Sequence, residues 1–176
     1  MPPQPGHHEQ IAASAWVERF AHLVPPGSPV LDVAAGSGRH SRFFAQRNHP
    51  VTAVDRDTAA LQGLPGVETI AADLENAKPW PLGSRRFGGV VVTNYLHRPI
   101  LPAIVAAVAP NCVLLYETFA VGNERFGKPS NPDFLLRPGE LLDAVHGKLR
   151  VIAYEDIEIA VPKPAMVQRI AAVNSP

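Results

Sequence analysis

Five short apolar runs recur along this chain: Val30–Ala34, Val51–Val54, Val67–Ala72, Gly89–Thr93 and Val113–Glu117. Each reads as a strand. Their apolar character is continuous rather than alternating, which calls for burial on both faces and hence parallel pairing under helices. Helix-like segments fill the gaps. Arg39–Arg47 carries Phe43 and Phe44, a short helix falls near Thr58–Gly63, and Pro99–Val108 puts Ile100, Ile104 and Val108 on one face. Pro138–His146 supplies another helix. Ile11, Ala15, Trp16, Phe20 and Leu23 predict an N-terminal helix that stops before Pro25-Pro26. The pattern predicts an α/β fold with a doubly wound sheet. The last part of the chain changes character. Leu149–Ala160 and Met166–Val173 are long strand-like runs joined by VPKP, a gap too short for a helix, so they form an antiparallel hairpin. The expected sheet has seven strands, mostly parallel, with that hairpin at its C-terminal end.

A chain of 176 residues suits one domain, expected over residues 11–176 behind a flexible tail over 1–10. Lys plus Arg and Asp plus Glu both number 16, so a formal charge of zero gives no electrostatic reason to expect a nucleic acid or an anionic membrane as partner. No apolar run approaches the ~20 residues that span a bilayer. The opening MPPQPGHHEQ lacks the charged and apolar regions of a secretory signal, so a cytoplasmic location is expected. The single cysteine, Cys112, excludes an intrachain disulfide and sits in an apolar run as an inert thiol. His7 and His8 have no third ligand at metal spacing, so no metal site is expected.

Sites in open α/β sheets form beyond the carboxyl ends of the strands. Beyond the first strand stands AAGSGRHS, where Gly36 and Gly38 allow a tight turn and close approach to a ligand. Asp55 ends the second strand, 17 residues past Gly38, where a carboxylate accepts both hydroxyls of a ribose. An adenosine ligand follows, and three features bear on which one. Asp32, four residues before Gly36, is a poor neighbour for a pyrophosphate and suits a ligand with a positive end. The third glycine of the dinucleotide fingerprint is replaced by Ser41. No Lys follows Gly38, which removes the phosphate-loop reading.

VLDVAAGSGRHS, VTAVDRD and AADLE together resemble the nucleotide-binding half of the class I S-adenosylmethionine-dependent methyltransferases. The resemblance runs from about Val30 to Val173 and is nearest to small bacterial enzymes of the tellurite-resistance type. It implies a Rossmann-like seven-stranded sheet and S-adenosyl-L-methionine as cofactor. Ala34 replaces the family's usual first glycine. By the resemblance, Asp32 lies below the methionine amino end, and Ala34, Gly36, Ser37 and Gly38 line the ligand. Asp55 binds the ribose, Arg56 flanks the adenine, Asp73 accepts from its amino group, and Leu74 donates its backbone amide. His40 reads as a solvated or helix-capping residue.

A sulfonium methyl group needs alignment and exclusion of water more than it needs an acid or a base. The acceptor side is expected in TNYLHRP, with Asn94 at the cofactor, Tyr95 as a pocket wall and His97 as a possible base. TNYLHRP lacks the two prolines of the amino-methylating nucleic-acid enzymes, which argues against that activity. The segment Tyr116–Pro138 reads as a lid or binding loop. In it Asn123 and Asn131 are candidates to orient a substrate and Phe126 to close over it. Glu117 is either a tether for that loop or an acid/base group. Trp16, Arg19 and Phe20 either cover the cleft or simply pack. The expected activity is methyl transfer to a small molecule, a thiol, an oxyanion or a small metabolite, by a monomer or homodimer. The alternatives are a non-catalytic S-adenosylmethionine binder and an NAD-dependent oxidoreductase.

Overall fold

The computed structural model of the chain describes residues 11–176; the expected tail and the His7-His8 pair lie outside them. Seven strands form one sheet: β1 (Val30–Val33), β2 (Val51–Asp55), β3 (Val67–Ala71), β4 (Phe87–Thr93), β5 (Val108–Phe119), β6 (Arg150–Ile159) and β7 (Ala165–Val173). Their spatial order is β3-β2-β1-β4-β5-β7-β6. Pairings from β3 across to β5 are parallel, and β7 is antiparallel to both β5 and β6. The expected hairpin is therefore present, with its second strand inserted between β5 and β6. The chain winds outward from β1 to β3, then returns to the other side of β1 with β4. This reversal opens a crevice beyond the carboxyl ends of β1 and β4.

Period-two alternation sends side chains to two cores. Val90, Val92, Leu114 and Tyr116 face one side, where α3 (Leu101–Ala106) and α4 (Glu140–Val145) contribute Ile104, Val105, Leu141 and Val145. Val91, Val113 and Leu115 face the other, against Trp16 and Phe20 of α1 (Ala15–Phe20) and Phe43 and Phe44 of α2 (Arg39–Ala45). Each such large side chain contributes about 1.5–3 kcal/mol by leaving water. Cys112 is a buried free thiol whose pKa is raised by burial.

Several boundaries differ from the sequence expectation. Helix α1 starts at Ala15, because the Ser14 hydroxyl accepts from the N–H groups of Trp16 and Val17 and sets the N-cap there. Ile11 is outside the helix and exposed. The helix expected to reach Val108 ends at Ala106, and β5 begins at Val108, five residues earlier than the apolar run suggested. Asn111 takes a left-handed φ of 62° within that extension, and the β4–β5 register shifts between Phe87 and Gly89.

Candidate functional site

The turn after β1 carries three left-handed residues, Ala34, Gly36 and Gly38, with φ of 53°, 55° and 79°. Glycine adopts this conformation freely, whereas Ala34 holds it at a cost of about 1 kcal/mol. Gly38 is further constrained, since a Cβ there would sit 2.7 Å from the Leu61 side chain. Asp55 organises the turn from the end of β2. One carboxylate oxygen accepts the Gly36 N–H at 2.9 Å and the other accepts the Asp57 N–H at 2.9 Å.

Beneath the turn, Asp32 is fully enclosed and accepts the Ser41 hydroxyl at 2.6 Å. Burial pushes its pKa from 3.8 up to about 6, although bonds from Ser41 and the charge of Arg39 pull the other way. No basic side chain pairs with it among the described residues.

A cavity of about 470 Å³ lies above the strand ends. Ala34, Asp55 and Arg56 line one side of it, and Asp73, Leu74 and Glu75 another. Asn94, Tyr95 and Phe134 close it toward β4. Gly36, Ser37 and Gly38 shape the turn without lining this cavity. A second cavity, about 260 Å³, shares Glu75, Asn94, Tyr95 and Phe134 with the first. It adds Leu96, Thr118, Phe119 and Pro129. Tyr95 thus stands between the two. Its hydroxyl is buried without a hydrogen-bond partner, and burial, reinforced by the charges of Glu75, Asp73 and Asp55, holds the phenol neutral.

The other expected acceptor-side residues are placed differently. His97 lines neither cavity; it precedes a short 3₁₀ turn, Arg98–Ile100. Glu117 is occupied: it accepts the Ser14 hydroxyl at 2.7 Å and pairs with Arg169 at 3.0 Å. Arg169 also pairs with Glu155 at 2.6 Å and lies over the Trp16 ring. In this structure Glu117 is a tether, and it ties down the N-terminal segment rather than the loop. His40 is neither solvated nor a cap. It is buried, its Nε2 accepts the Ser14 N–H at 3.0 Å, and so its Nδ1 carries the proton toward the Thr93 hydroxyl at 3.3 Å. Burial lowers its pKa to about 3. Trp16 and Phe20 pack in the core and do not cover the crevice.

The loop after β5 holds two 3₁₀ turns, Asn123–Arg125 and Pro132–Phe134. Asn123 is buried and staples the loop, accepting the Met166 N–H and donating to the Pro129 carbonyl. Asn131 caps the second turn. Neither asparagine faces the cavities, and Phe126 is exposed beside Arg125. Phe134 is the ring that reaches them. It is held there by Arg98, which pairs with Glu140 at 2.6 Å and donates to the carbonyls of Asp133 and Leu135. The sequence reading also passed over Glu75, two residues beyond Asp73, where its N–H is fixed by the Asp73 carboxylate. The AADLE segment held that signal.

The fold is that of the class I S-adenosylmethionine-dependent methyltransferases. TehB from Haemophilus influenzae superposes with a TM-score of 0.72 at 17% identity, over 93% of this chain and 63% of that one. This chain therefore spans less than two thirds of that protein's length. A TehB-like methyltransferase from Corynebacterium glutamicum gives 0.65 at 16% identity, over 90% of this chain and 86% of that one. The Burkholderia thailandensis 1,6-didemethyltoxoflavin-N1-methyltransferase, solved with 1,6-didemethyltoxoflavin and S-adenosylhomocysteine, gives 0.64 at 20% identity. That match covers 92% of this chain and 76% of the other. No family model and no curated protein matches the sequence.

Proposed function

We propose that the chain is an S-adenosylmethionine-dependent methyltransferase acting on a small molecule. The observation that carries this reading is the pair of adjoining cavities that meet at Asn94 and Tyr95. The first has the donor set an adenosine ligand needs. Asp55 faces the ribose, Asp73 and the Leu74 amide serve the adenine, Arg56 flanks it, and Ala34 brings the head of the turn to the cavity wall. Asp32 lies below as a buried carboxyl without a basic partner, which fits a ligand with an ammonium end and works against a pyrophosphate. When bound, the cofactor supplies an activated methyl group and a neutral leaving group. The chain's own task is to align the acceptor and exclude water.

The second cavity is where the acceptor goes, with Tyr95 as the wall between the two ligands. Glu117 acts through Ser14 and Arg169 as a positioning residue, and His97 has no role at the reacting atoms. An acceptor space beside Tyr95 favours an enzyme over a non-catalytic binder, which has no use for one. Solved proteins of this fold carry S-adenosylhomocysteine in Burkholderia thailandensis 1,6-didemethyltoxoflavin-N1-methyltransferase and in the glycopeptide N-methyltransferase MtfA, which supports the same cofactor here. Calorimetry with S-adenosylhomocysteine and with NAD tests the reading. Saturable binding of the first alone is expected; binding of NAD alone overturns it.

A further inference from the structure

The two cavities differ in charge. Arg56 stands among the carboxylates of the first. In the second, Glu75 is the one charged side chain among the described residues of the lining. Arg98 is held by Glu140 and two backbone carbonyls, and His40 is buried, neutral and bonded at both nitrogens. Among the residues that line this space, an oxyanion or a thiolate meets a carboxylate and no guanidinium or ammonium. An anion placed beside that exposed carboxylate is opposed by its like charge. Tyr95, Phe119 and Phe134 instead offer flat apolar surfaces to a planar ring. The cavity, about 260 Å³, is small for a ligand site, which suits a ring compound.

We propose that the acceptor is a planar nitrogen heterocycle with one bare ring nitrogen and one N–H, held between the aromatic walls with its N–H donated to Glu75. This deepens the methyltransferase reading and rests on it. The lone pair of the bare nitrogen forms the new N–CH₃ bond as the C–S bond breaks, its electron pair staying on sulfur as a thioether. Positive charge passes from the sulfonium to the ring. Glu75 faces that charge as it develops and takes the N–H proton from the other nitrogen, leaving a neutral methylated ring. A phenol is a poorer fit, because it reacts as an anion beside the same carboxylate.

Benzimidazole is the probe, titrated into protein saturated with S-adenosylhomocysteine. Saturable binding is expected, and Glu75→Gln weakens it about tenfold, the loss of one charge-assisted hydrogen bond. With S-adenosylmethionine, N-methylbenzimidazole forms, and tellurite and thiophenol release no S-adenosylhomocysteine. The proposal is overturned if benzimidazole does not bind the loaded protein. It is equally overturned if tellurite or thiophenol is methylated in its place, or if Glu75→Gln leaves benzimidazole binding unchanged. Failure of S-adenosylhomocysteine itself to bind sinks the underlying reading, a separate result.

Discussion

The β1–β3 side of the crevice and the β4–β5 side are built by different means. On the first, each candidate group sits within a few residues of its strand's end, fixed by two-residue turns, Asp55 to Asp57 and Asp73 to Glu75, and by one bond between neighbouring strand ends, Gly36 to Asp55. On the second, the walls come from segments far apart in sequence. Phe134 reaches Tyr95 only because Arg98, 42 residues before Glu140, gathers the loop through four hydrogen bonds. The first cavity is shaped mainly by strand ends, whereas the second depends on how a long loop is pinned. Substitutions on the two sides therefore fail in different ways.

The largest effect is expected at the pin. Arg98→Ala leaves the Glu140 carboxylate, only 10% exposed, without its main partner, and frees the Asp133 and Leu135 carbonyls. Burial works to raise the Glu140 pKa, but the Arg98 and Arg137 bonds outweigh it and hold the group below its ordinary value. Losing Arg98 removes the larger part of that compensation. A destabilisation of about 3 kcal/mol is expected in denaturant unfolding. Benzimidazole binding falls further than S-adenosylhomocysteine binding. Equal loss of both would erase the distinction between the two sides.

Asp32 comes next, and its two effects have opposite sign. Its folded pKa of about 6 lies above the ordinary 3.8, so the folded state retains a proton that the unfolded chain releases between those values. Stability contributed by the protonated group is present below pH 3.8 and lost as pH rises through about 6. The loss amounts to about 3 kcal/mol at neutral pH. Asp32→Asn, which keeps the acceptor for Ser41, is expected to raise the melting temperature of the ligand-free protein at neutral pH. The gain vanishes in acid. The same variant weakens S-adenosylhomocysteine at least about tenfold, because the ammonium end loses its counter-charge. In the native protein that affinity increases as pH climbs through the titration of Asp32. A pH-independent affinity would remove Asp32 from the site.

Asp55→Ala is a smaller perturbation of stability, since its partners are backbone N–H groups open to water. Affinity for S-adenosylhomocysteine is expected to drop at least tenfold, about 1.4 kcal/mol, with the chain still folded. An unchanged dissociation constant places the ribose elsewhere.

The same contrast explains what could be read from the sequence. Strand alternation, the hairpin and the carboxylates at the ends of β1, β2 and β3 were legible because each follows from local periodicity and spacing. Asp32 was legible as a carboxylate, but its enclosure depends on α2 bringing Ser41 over it. His40 was misread as solvent-facing, since nothing local shows that the N-terminal segment folds back to place Ser14 against it. Asn123 and Phe126 were read as substrate-facing for a similar reason. A polar or aromatic residue in a long loop has no periodicity to say which way it points, and here tertiary hydrogen bonds to Met166 and Pro129 turned Asn123 inward. Phe134 and Glu75 took the places at the cavities.

Glu117 is the residue on which the two readings of the β5 end diverge with the smallest expected effect. An acid/base group there would make the rate fall with its titration and would collapse on neutralisation. A tether loses one ion pair and keeps its shape. Glu117→Gln retains an acceptor for the Ser14 hydroxyl, while Arg169 keeps Glu155 at 2.6 Å, so a loss of about 1 kcal/mol in stability is expected. The S-adenosylhomocysteine affinity and the pH profile of methyl transfer are expected to stay as in the native chain. Ser14→Ala removes a different contact, the hydroxyl bond to Glu117, together with the N-cap of α1, and is expected to cost about 1 kcal/mol on its own account. A rate that falls by orders of magnitude in Glu117→Gln but not in Ser14→Ala would move Glu117 from the N-terminal clasp to the reacting atoms.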